Sequence, residues 1–137
     1  MTTIEGYASL FDRVDLGRDV VLPGAFTASL ERRGPRDVRM LWQHDAAEPV
    51  GLWTDMQEDR NGLRVRGVLL PEVKRARELA ALIAHGAIDG LSIGFRAIRA
   101  RRDPTQRLRR IAEIDLWEIS LVTFPLLPGA RLNRFNA

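Results

Sequence analysis

The sequence predicts a mainly β fold with α (α+β), a mostly antiparallel β-barrel of about seven strands surrounded by helices. Three observations favour this class. β-Prone runs are short and numerous, turn signals at hairpin spacing join most of them, and strands do not alternate with helices as in βαβ units. Because 137 residues suffice for one ordinary core, we expect a single domain over 1–137.

The first elements are a strand, a short helix and a second strand. Residues 3–11 contain Ile, Tyr, Leu and Phe in loose alternation, which predicts a strand, and the turn-rich segment 15–19 follows. Pro23 suits the first turn of a helix that Gly34 and the next proline would end. Residues 38–43 then predict the second strand.

The central part predicts a hairpin followed by an amphipathic helix. The apolar-rich runs 50–56 and 63–70 are joined by a loop that contains Asn61-Gly62, the strongest short hairpin signal. Over 72–85 the apolar residues recur at helical spacing with charged residues between them, and Gly86 ends the helix.

The last part predicts three strands. Runs 91–98 and 107–114 flank an arginine-rich turn, and 117–124 is a β-prone run that Pro125 closes. After about residue 128 we expect a short loose tail.

Composition excludes several classes of protein. There is no cysteine, so disulfides, thiolate chemistry and Cys-ligated zinc are excluded, and with only two histidines we expect neither a metal nor a cofactor. No apolar run is long enough to span a bilayer, and the N-terminus lacks the order of a signal peptide. We therefore expect a soluble, cytoplasmic protein.

Arginines concentrate around one turn. The high pI of about 10.4 reflects arginine, since every basic residue except Lys74 is an arginine, while the net charge is only +3. The cluster consists of Arg96, Arg99, Arg101, Arg102, Arg107, Arg109 and Arg110. It is interpreted either as a solvated hairpin or as a surface for an acidic partner, protein or nucleic acid.

The stretch 90–94, GLSIG, fits the G-x-S-x-G pattern of a serine nucleophile. An α/β-hydrolase is excluded because both histidines precede Ser92, the chain is short and βαβ units are lacking. On a strand, Ser92 and Gly94 would point away from the core to an accessible face, where the glycine leaves room for a substrate backbone. Ser92 is either a nucleophile on that face or a solvated polar residue.

The two histidines differ as candidates for a general base. His44 follows a strand in a polar stretch, at an element end where functional groups concentrate. His85 lies at the end of the predicted helix, where its imidazolium suits the last carbonyls and the helix dipole. We therefore prefer His44 as the base and interpret His85 as structural.

A carboxylate is expected to orient the imidazole. Glu118 is embedded in an apolar strand whose other face we expect to carry Trp117, Ile119 and Leu121, and a carboxylate there is costly unless something pairs with it. The competing acids are Asp45, Glu113 and Asp115, of which Asp45 has a second interpretation as a loop cap.

Five groups of segments, in this order, resemble the prohead (capsid maturation) serine proteases of tailed bacteriophages and phage-like particles. They are GYASLFDRVD, VLPGAF, MLWQHD with PVGLW, GAIDGLSIGF and DLWEISLVTFP. The resemblance runs from about Gly6 to Pro128. Their joint order is far more specific than any single motif.

The resemblance implies a fold like that of the herpesvirus assembly proteases, a β-barrel surrounded by helices. It also implies Ser92 as the nucleophile, His44 as the general base and Glu118 as the residue that orients His44. The herpesvirus relatives use a second histidine in the third role, and His85 matches no motif position of the family.

The implied substrate is the scaffolding segment of the major capsid protein, cut inside the assembling procapsid in the cytoplasm of the bacterial host. A membrane or nucleic acid is not expected as a partner of such an enzyme. Gly94, Arg96, Arg101 and Arg102 are candidates for substrate or partner binding. The alternative is a non-enzymatic barrel module that binds a capsid or scaffold partner, or nucleic acid, through the arginine-rich hairpin.

Overall fold

The computed structural model describes the backbone of residues 1–136 and the side chains up to residue 133. Within this part of the chain there are eight strands, two α-helices and one 3-10 turn. In chain order they are β1 (Thr2–Leu10), β2 (Asp19–Val21), α1 (Thr27–Arg32), the 3-10 turn (Pro35–Asp37), β3 (Arg39–Trp42), β4 (Asp45–Glu58), β5 (Gly62–Leu69), α2 (Lys74–Ala84), β6 (Gly90–Asp103), β7 (Leu108–Val122) and β8 (Leu132–Asn136).

All eight strands belong to one curled, mixed sheet. The order is β2-β7-β3-β4-β5-β1-β8, and β6 pairs with β7 off this path. Only the pairs of β7 with β2 and with β3 are parallel. The start of β6 also reaches the chain just before β8, because Leu91 N–H donates to the Ala130 carbonyl at 2.9 Å. The mostly antiparallel β fold with few helices is therefore confirmed.

The concave side of the sheet encloses the core. Trp53 and Phe26 are its largest side chains, both fully buried, and the Trp53 indole N–H donates to the Ile119 carbonyl at 3.2 Å. Helix α2 closes the core over β4 and β5 through the apolar side that the helical spacing indicated. Its buried residues are Ala76, Leu79 and Ile83.

Several expectations differ from the observed elements. The turn-rich segment 15–19 leads into an unexpected strand, β2, which is only three residues long and pairs in parallel with β7. The runs 107–114 and 117–124 form the single strand β7, because a bulge carries the strand through the residues between them. The expected loose tail contains β8, whose backbone pairs with β1. Ala137, the last residue of that tail, lies outside the described residues.

The first helix begins later than Pro23 indicated, since 23–26 form a turn before α1. No helix in the described part of the chain combines the length and the hydropathy that crossing a membrane requires.

Candidate active site

A β-bulge in β7 brings Glu118 to the face that carries the candidate nucleophile. Gly94 of β6 lies opposite Glu118, whereas the next residue, Phe95, lies opposite Leu116, so Trp117 is the extra residue. Before the bulge the side chains in the hydrophobic core are those of Ile114 and Leu116, and after it they are those of Ile119 and Leu121. Trp117 itself is 52% exposed, which corrects its expected place beside Ile119 and Leu121.

Ser92 lies directly opposite Ser120 in the antiparallel pair of β6 and β7. Opposed residues share a face, and residues two apart on one strand share it too, so Ser92, Gly94, Glu118 and Ser120 lie on one side of the ladder. Ser92 is only 6% exposed. The expectation of an open face is therefore wrong: the serine lies at the bottom of a groove, because neighbouring loops line the space around it.

Gly94 provides space for Glu118. A Cβ atom at position 94 would lie 2.6 Å from Glu118 Cδ and would overlap one of its carboxylate oxygens. This differs from the expectation that the glycine leaves room for a substrate backbone. The close approach is between two neighbouring strands of the sheet.

His44 lies in the two-residue turn between β3 and β4. Trp42 and Asp45 are paired, so Gln43 and His44 form the turn, with φ angles of 53° and 60°. Positive φ at both central residues is the type I′ pattern, which matches the twist of antiparallel strands but is uncommon for residues other than glycine and asparagine. The side chain of His44 is thereby held at a strand end, over β7.

Two sets of hydrogen bonds hold this turn on β7. Gln43 N–H donates to the Leu121 carbonyl at 2.9 Å. The Gln43 side-chain amide donates to Thr123 Oγ1 and accepts from Thr123 N–H, both at 3.1 Å. These contacts offset the cost of the left-handed backbone at Gln43 and His44.

Glu118 connects His44 to Ser120. The His44 imidazole donates from Nδ1 to Glu118 Oε2, while Ser120 Oγ donates to Glu118 Oε1 at 2.7 Å. Ser120 Oγ also accepts the backbone N–H of His44 at 3.0 Å. The hydrogen bond that His44 donates to Glu118 raises the pKa of His44 above its usual 6.5, although partial burial opposes this shift.

The other acids and the second histidine are engaged elsewhere. Asp45 Oδ1 accepts the N–H of Ala47 at 2.9 Å, as a loop cap does. His85 donates from Nδ1 to the Ala81 carbonyl of its own helix at 2.9 Å. The remaining acids pair with arginines: Glu113 with Arg99, and Asp115 with Arg32 and Arg33.

Asp115 also accepts a hydrogen bond from the Trp117 indole at 2.8 Å. That bond, followed by the charges of Arg33 and Arg32, lowers the pKa of Asp115 below its usual value. Asp115 is therefore an ion-pairing residue on the far side of the bulge from His44.

His44 and Ser92 line one open groove of about 380 Å³. Its other lining residues are Leu16, Gln43, Ile93, Val122, Phe124, Pro125 and Leu126. Within the described residues, Ser92 Oγ forms no hydrogen bond, so its hydroxyl is free to receive a ligand from the groove.

The arginine candidates lie away from this groove. Arg96, Arg101 and Arg102 are exposed on β6 and form no ion pair with any described residue. In the described part of the chain no cluster of three or more His, Asp or Glu residues could hold a metal ion.

Sequence reasoning missed Ser120 and Thr123, which position Glu118 and the His44 turn. The signal for Ser120 was available, because it lies two residues from Glu118 on a strand and therefore on the same face. No such signal was available for Thr123, because its contact with the His44 turn depends on the pairing of β3 with β7.

Comparisons with known proteins bear on the family and the fold of this chain. A family model described as caudovirus prohead serine protease matches residues 1–136. The chain is similar to the prohead protease of Enterobacteria phage HK97, at 42% identity over 126 residues that cover 88% of this chain and 54% of that protein. It therefore spans about half the length of that relative.

Two solved structures show the same fold at low identity. The capsid assembly protease of bacteriophage T4 has a TM-score of 0.71 at 16% identity, covering 88% of this chain and 80% of that one. The protease of Kaposi's sarcoma-associated herpesvirus, in complex with a hexapeptide phosphonate inhibitor, has a TM-score of 0.70 at 16% identity. The match covers 99% of this chain and 65% of that one.

Proposed function

This chain belongs to the caudovirus prohead serine protease family, and we propose that it is a serine endopeptidase in which Ser92, His44 and Glu118 are the catalytic residues. One observation carries the proposal. The imidazole of His44 is hydrogen-bonded through Nδ1 to a carboxylate, and it lines the same groove as a serine with a free hydroxyl. A base, an acid that orients it and a serine in the same groove are the components that acyl transfer requires, which supports the proposal.

The chemistry proceeds by a covalent acyl-enzyme. His44 Nε2 takes the proton of Ser92 Oγ as the oxygen bonds to the peptide carbonyl carbon, and the resulting imidazolium gives that proton to the leaving amine. A water molecule, deprotonated by the same nitrogen, then hydrolyses the ester and restores Ser92. Catalytic hydrogen bonds often close only around substrate, which fits a Ser92 hydroxyl that forms no hydrogen bond within the described residues.

Glu118 prepares His44 for the base role in two ways. By accepting the Nδ1 proton it fixes the tautomer whose Nε2 lone pair is available to Ser92. By raising the pKa of His44 it makes the imidazole a stronger base and stabilises the imidazolium that forms during attack.

The proposed substrate is the scaffolding segment of the major capsid protein. The family is named for the prohead, and the similar T4 protein is a capsid assembly protease. An enzyme of this kind works inside the assembling procapsid, in the cytoplasm of the bacterial host.

The experiment is cleavage of purified capsid precursor by wild type and by Ser92→Ala, followed by gel electrophoresis and mass spectrometry. We expect discrete products with wild type and intact precursor with Ser92→Ala. Ser29→Ala is the matched control, because Ser29 is also a buried serine but belongs to α1, outside the groove, and it should retain cleavage. Intact precursor with wild type, in particles that still mature, would contradict the proposal.

A second candidate function is docking of an acidic protein segment on the β6–β7 hairpin. The observation that favours it is the set of exposed arginines without ion pairs, beside an open groove of about 430 Å³ with apolar and arginine walls. Its lining residues are Leu22, Arg99, Ala100, Arg101, Arg110 and Ala112. An apolar floor between guanidinium groups suits an amphipathic acidic helix.

Replacing Arg101 and Arg102 together by serine tests this docking. We expect weaker binding of an acidic helical peptide, measured by fluorescence anisotropy, while serines at Arg60 and Arg64, two exposed arginines near the Asn-Gly turn, leave it unchanged. A steep loss of duplex DNA binding with added salt would instead favour the nucleic-acid version.

A further inference from the structure

Three of the most exposed large apolar side chains of the described residues line the groove of His44 and Ser92. Leu16 is 73% exposed, Phe124 88% and Leu126 46%. Large apolar side chains are normally buried, and a patch of exposed ones at the rim of a groove indicates a surface that binds an apolar group. Their position beside the candidate nucleophile indicates that the bound group belongs to the substrate.

The remaining walls carry no charge that would attract a charged side chain. Besides the catalytic residues they consist of Gln43, Ile93, Val122 and Pro125. The Gln43 amide is already satisfied by Thr123. Apart from His44, whose imidazole is already paired with Glu118, the groove offers no opposite charge to an acidic or basic substrate side chain, so burying one there is costly.

The two apolar walls are held to each other before any ligand binds. Leu16 N–H donates to the Leu126 carbonyl at 3.0 Å, which joins the loop before β2 to the segment after β7. Asp15 Oδ1 accepts the N–H groups of Gly17 and Asp19, at 2.8 and 2.9 Å, and so fixes the loop that carries Leu16. A preformed groove loses less entropy on binding than one that must assemble.

We propose that this groove, formed by Leu16, Phe124 and Leu126, binds large apolar side chains of the peptide next to the scissile bond. The inference rests on the proposed function, since it takes Ser92 as the nucleophile. Its consequence is a sequence preference: the enzyme selects sites flanked by leucine, phenylalanine or similar residues, and rejects acidic ones.

Binding is tested without catalysis, in the Ser92→Ala background. The probes are two fluorescein-labelled decapeptides of serine and glycine, one with two leucines and a phenylalanine at its centre, the other with aspartates and a glutamate there. We expect the apolar peptide to bind and the acidic one to bind at least about tenfold more weakly. Leu16→Ser and Phe124→Ser should each weaken binding of the apolar peptide by about threefold to tenfold.

Leu82→Ser is the matched control, because Leu82 is 40% exposed on α2, outside the groove. This variant should bind the apolar peptide with the same affinity as the Ser92→Ala protein from which it is made. Melting temperatures of all variants check that each is folded, which highly exposed positions should tolerate. Equal binding of both peptides, or equal effects of the groove and control variants, would overturn the inference.

Cleavage by the wild-type chain then separates this inference from the proposed function. If capsid precursor is cut at sites with charged flanking residues, the protease proposal is supported and the proposed apolar preference of the groove is wrong. If the apolar peptide binds through Leu16 and Phe124 but neither it nor the precursor is ever cut, the groove is a binding site and the protease proposal is wrong. Cuts confined to apolar flanks, reduced by Leu16→Ser and not by Leu82→Ser, support both.

Discussion

Each carboxylate oxygen of Glu118 has its own partner. Oε2 accepts from His44 and Oε1 accepts from Ser120, and Ser120 in turn accepts the backbone N–H of His44. The side chain and the backbone of His44 are therefore tied to the same strand by one acid and one serine. Changes at either residue should act on the base rather than on substrate contacts.

Glu118→Gln tests the influence of the carboxylate on His44. We expect kcat to fall by about 10²- to 10⁴-fold, because an amide neither secures the tautomer nor stabilises the imidazolium. A general base works when it is deprotonated, so activity falls as pH drops through the pKa of the base. Without the carboxylate the pKa of His44 is lower, so the acidic limb of the pH–activity profile should move to lower pH. An unmoved acidic limb in kcat/KM would contradict the assignment of His44 and Glu118.

Ser120→Ala tests a positioning role and leaves the three proposed catalytic residues in place. Ser120 is fully buried, and the change leaves the His44 N–H without its partner at a partly buried contact. We expect the free energy of unfolding to fall by about 1–3 kcal/mol and kcat to fall more than KM rises. Ser29→Ala is the control, because Ser29 Oγ accepts the Leu116 N–H at 3.0 Å in an equally buried place. It should show a similar loss of stability with kcat unchanged; equal kcat in both variants would limit Ser120 to a structural role.

At the scale of elements, the hairpin of β4 and β5 and the helix α2 were predictable because their signals are local. Asn61-Gly62 indicates its own turn, and the spacing of apolar residues indicates the buried side of α2. The bulge at Trp117 was not predictable in this way. It is defined by pairing with β6, and alternation along β7 alone would place Glu118 on the same side as Ile114 and Leu116.

Gly94→Ala tests the close approach of β6 and β7 at the bulge. The added methyl group would overlap the Glu118 carboxylate, so we expect the acid to be displaced from His44, kcat to fall and the free energy of unfolding to decrease by about 1–3 kcal/mol. In NMR titrations the pKa of His44 should move down towards its ordinary value.

Gly34→Ala is the control for that substitution. A Cβ atom there meets nothing within 4 Å, and the φ angle of −72° suits any residue. It should leave both kcat and the His44 titration unchanged. A Gly94→Ala variant with normal kcat would show that the carboxylate can move without loss, and so would argue against its orienting role.

At the scale of the whole molecule, the site joins parts of the chain that lie far apart in sequence. Ser92 comes from β6, Glu118 from β7, and His44 from the turn between β3 and β4. The candidates Ser92, His44 and Glu118 could be selected from residue types and from the family resemblance. Their juxtaposition depends on the parallel pairing of β3 with β7, which no local pattern in either strand indicates.

This cross-sheet link makes global stability depend on pH. The pKa of His44 is raised above 6.5 in the folded chain, so the charged pair with Glu118 contributes stability that is fully present below 6.5 and is lost as pH rises through the folded pKa. At about pH 5.5, where a glutamate is still ionised, wild type should therefore exceed Glu118→Gln in melting temperature by more than at about pH 8.5.

Glu113→Gln is the matched control for this pH dependence. Glu113 also lies on β7, but it pairs at 3.4 Å with Arg99, and an arginine side chain keeps its charge over this pH range whereas a histidine does not. The difference in melting temperature between wild type and Glu113→Gln should stay constant between these two pH values. If the Glu118→Gln difference is equally constant, His44 does not gain its proton affinity from Glu118, and the electrostatic basis of the proposed base is wrong.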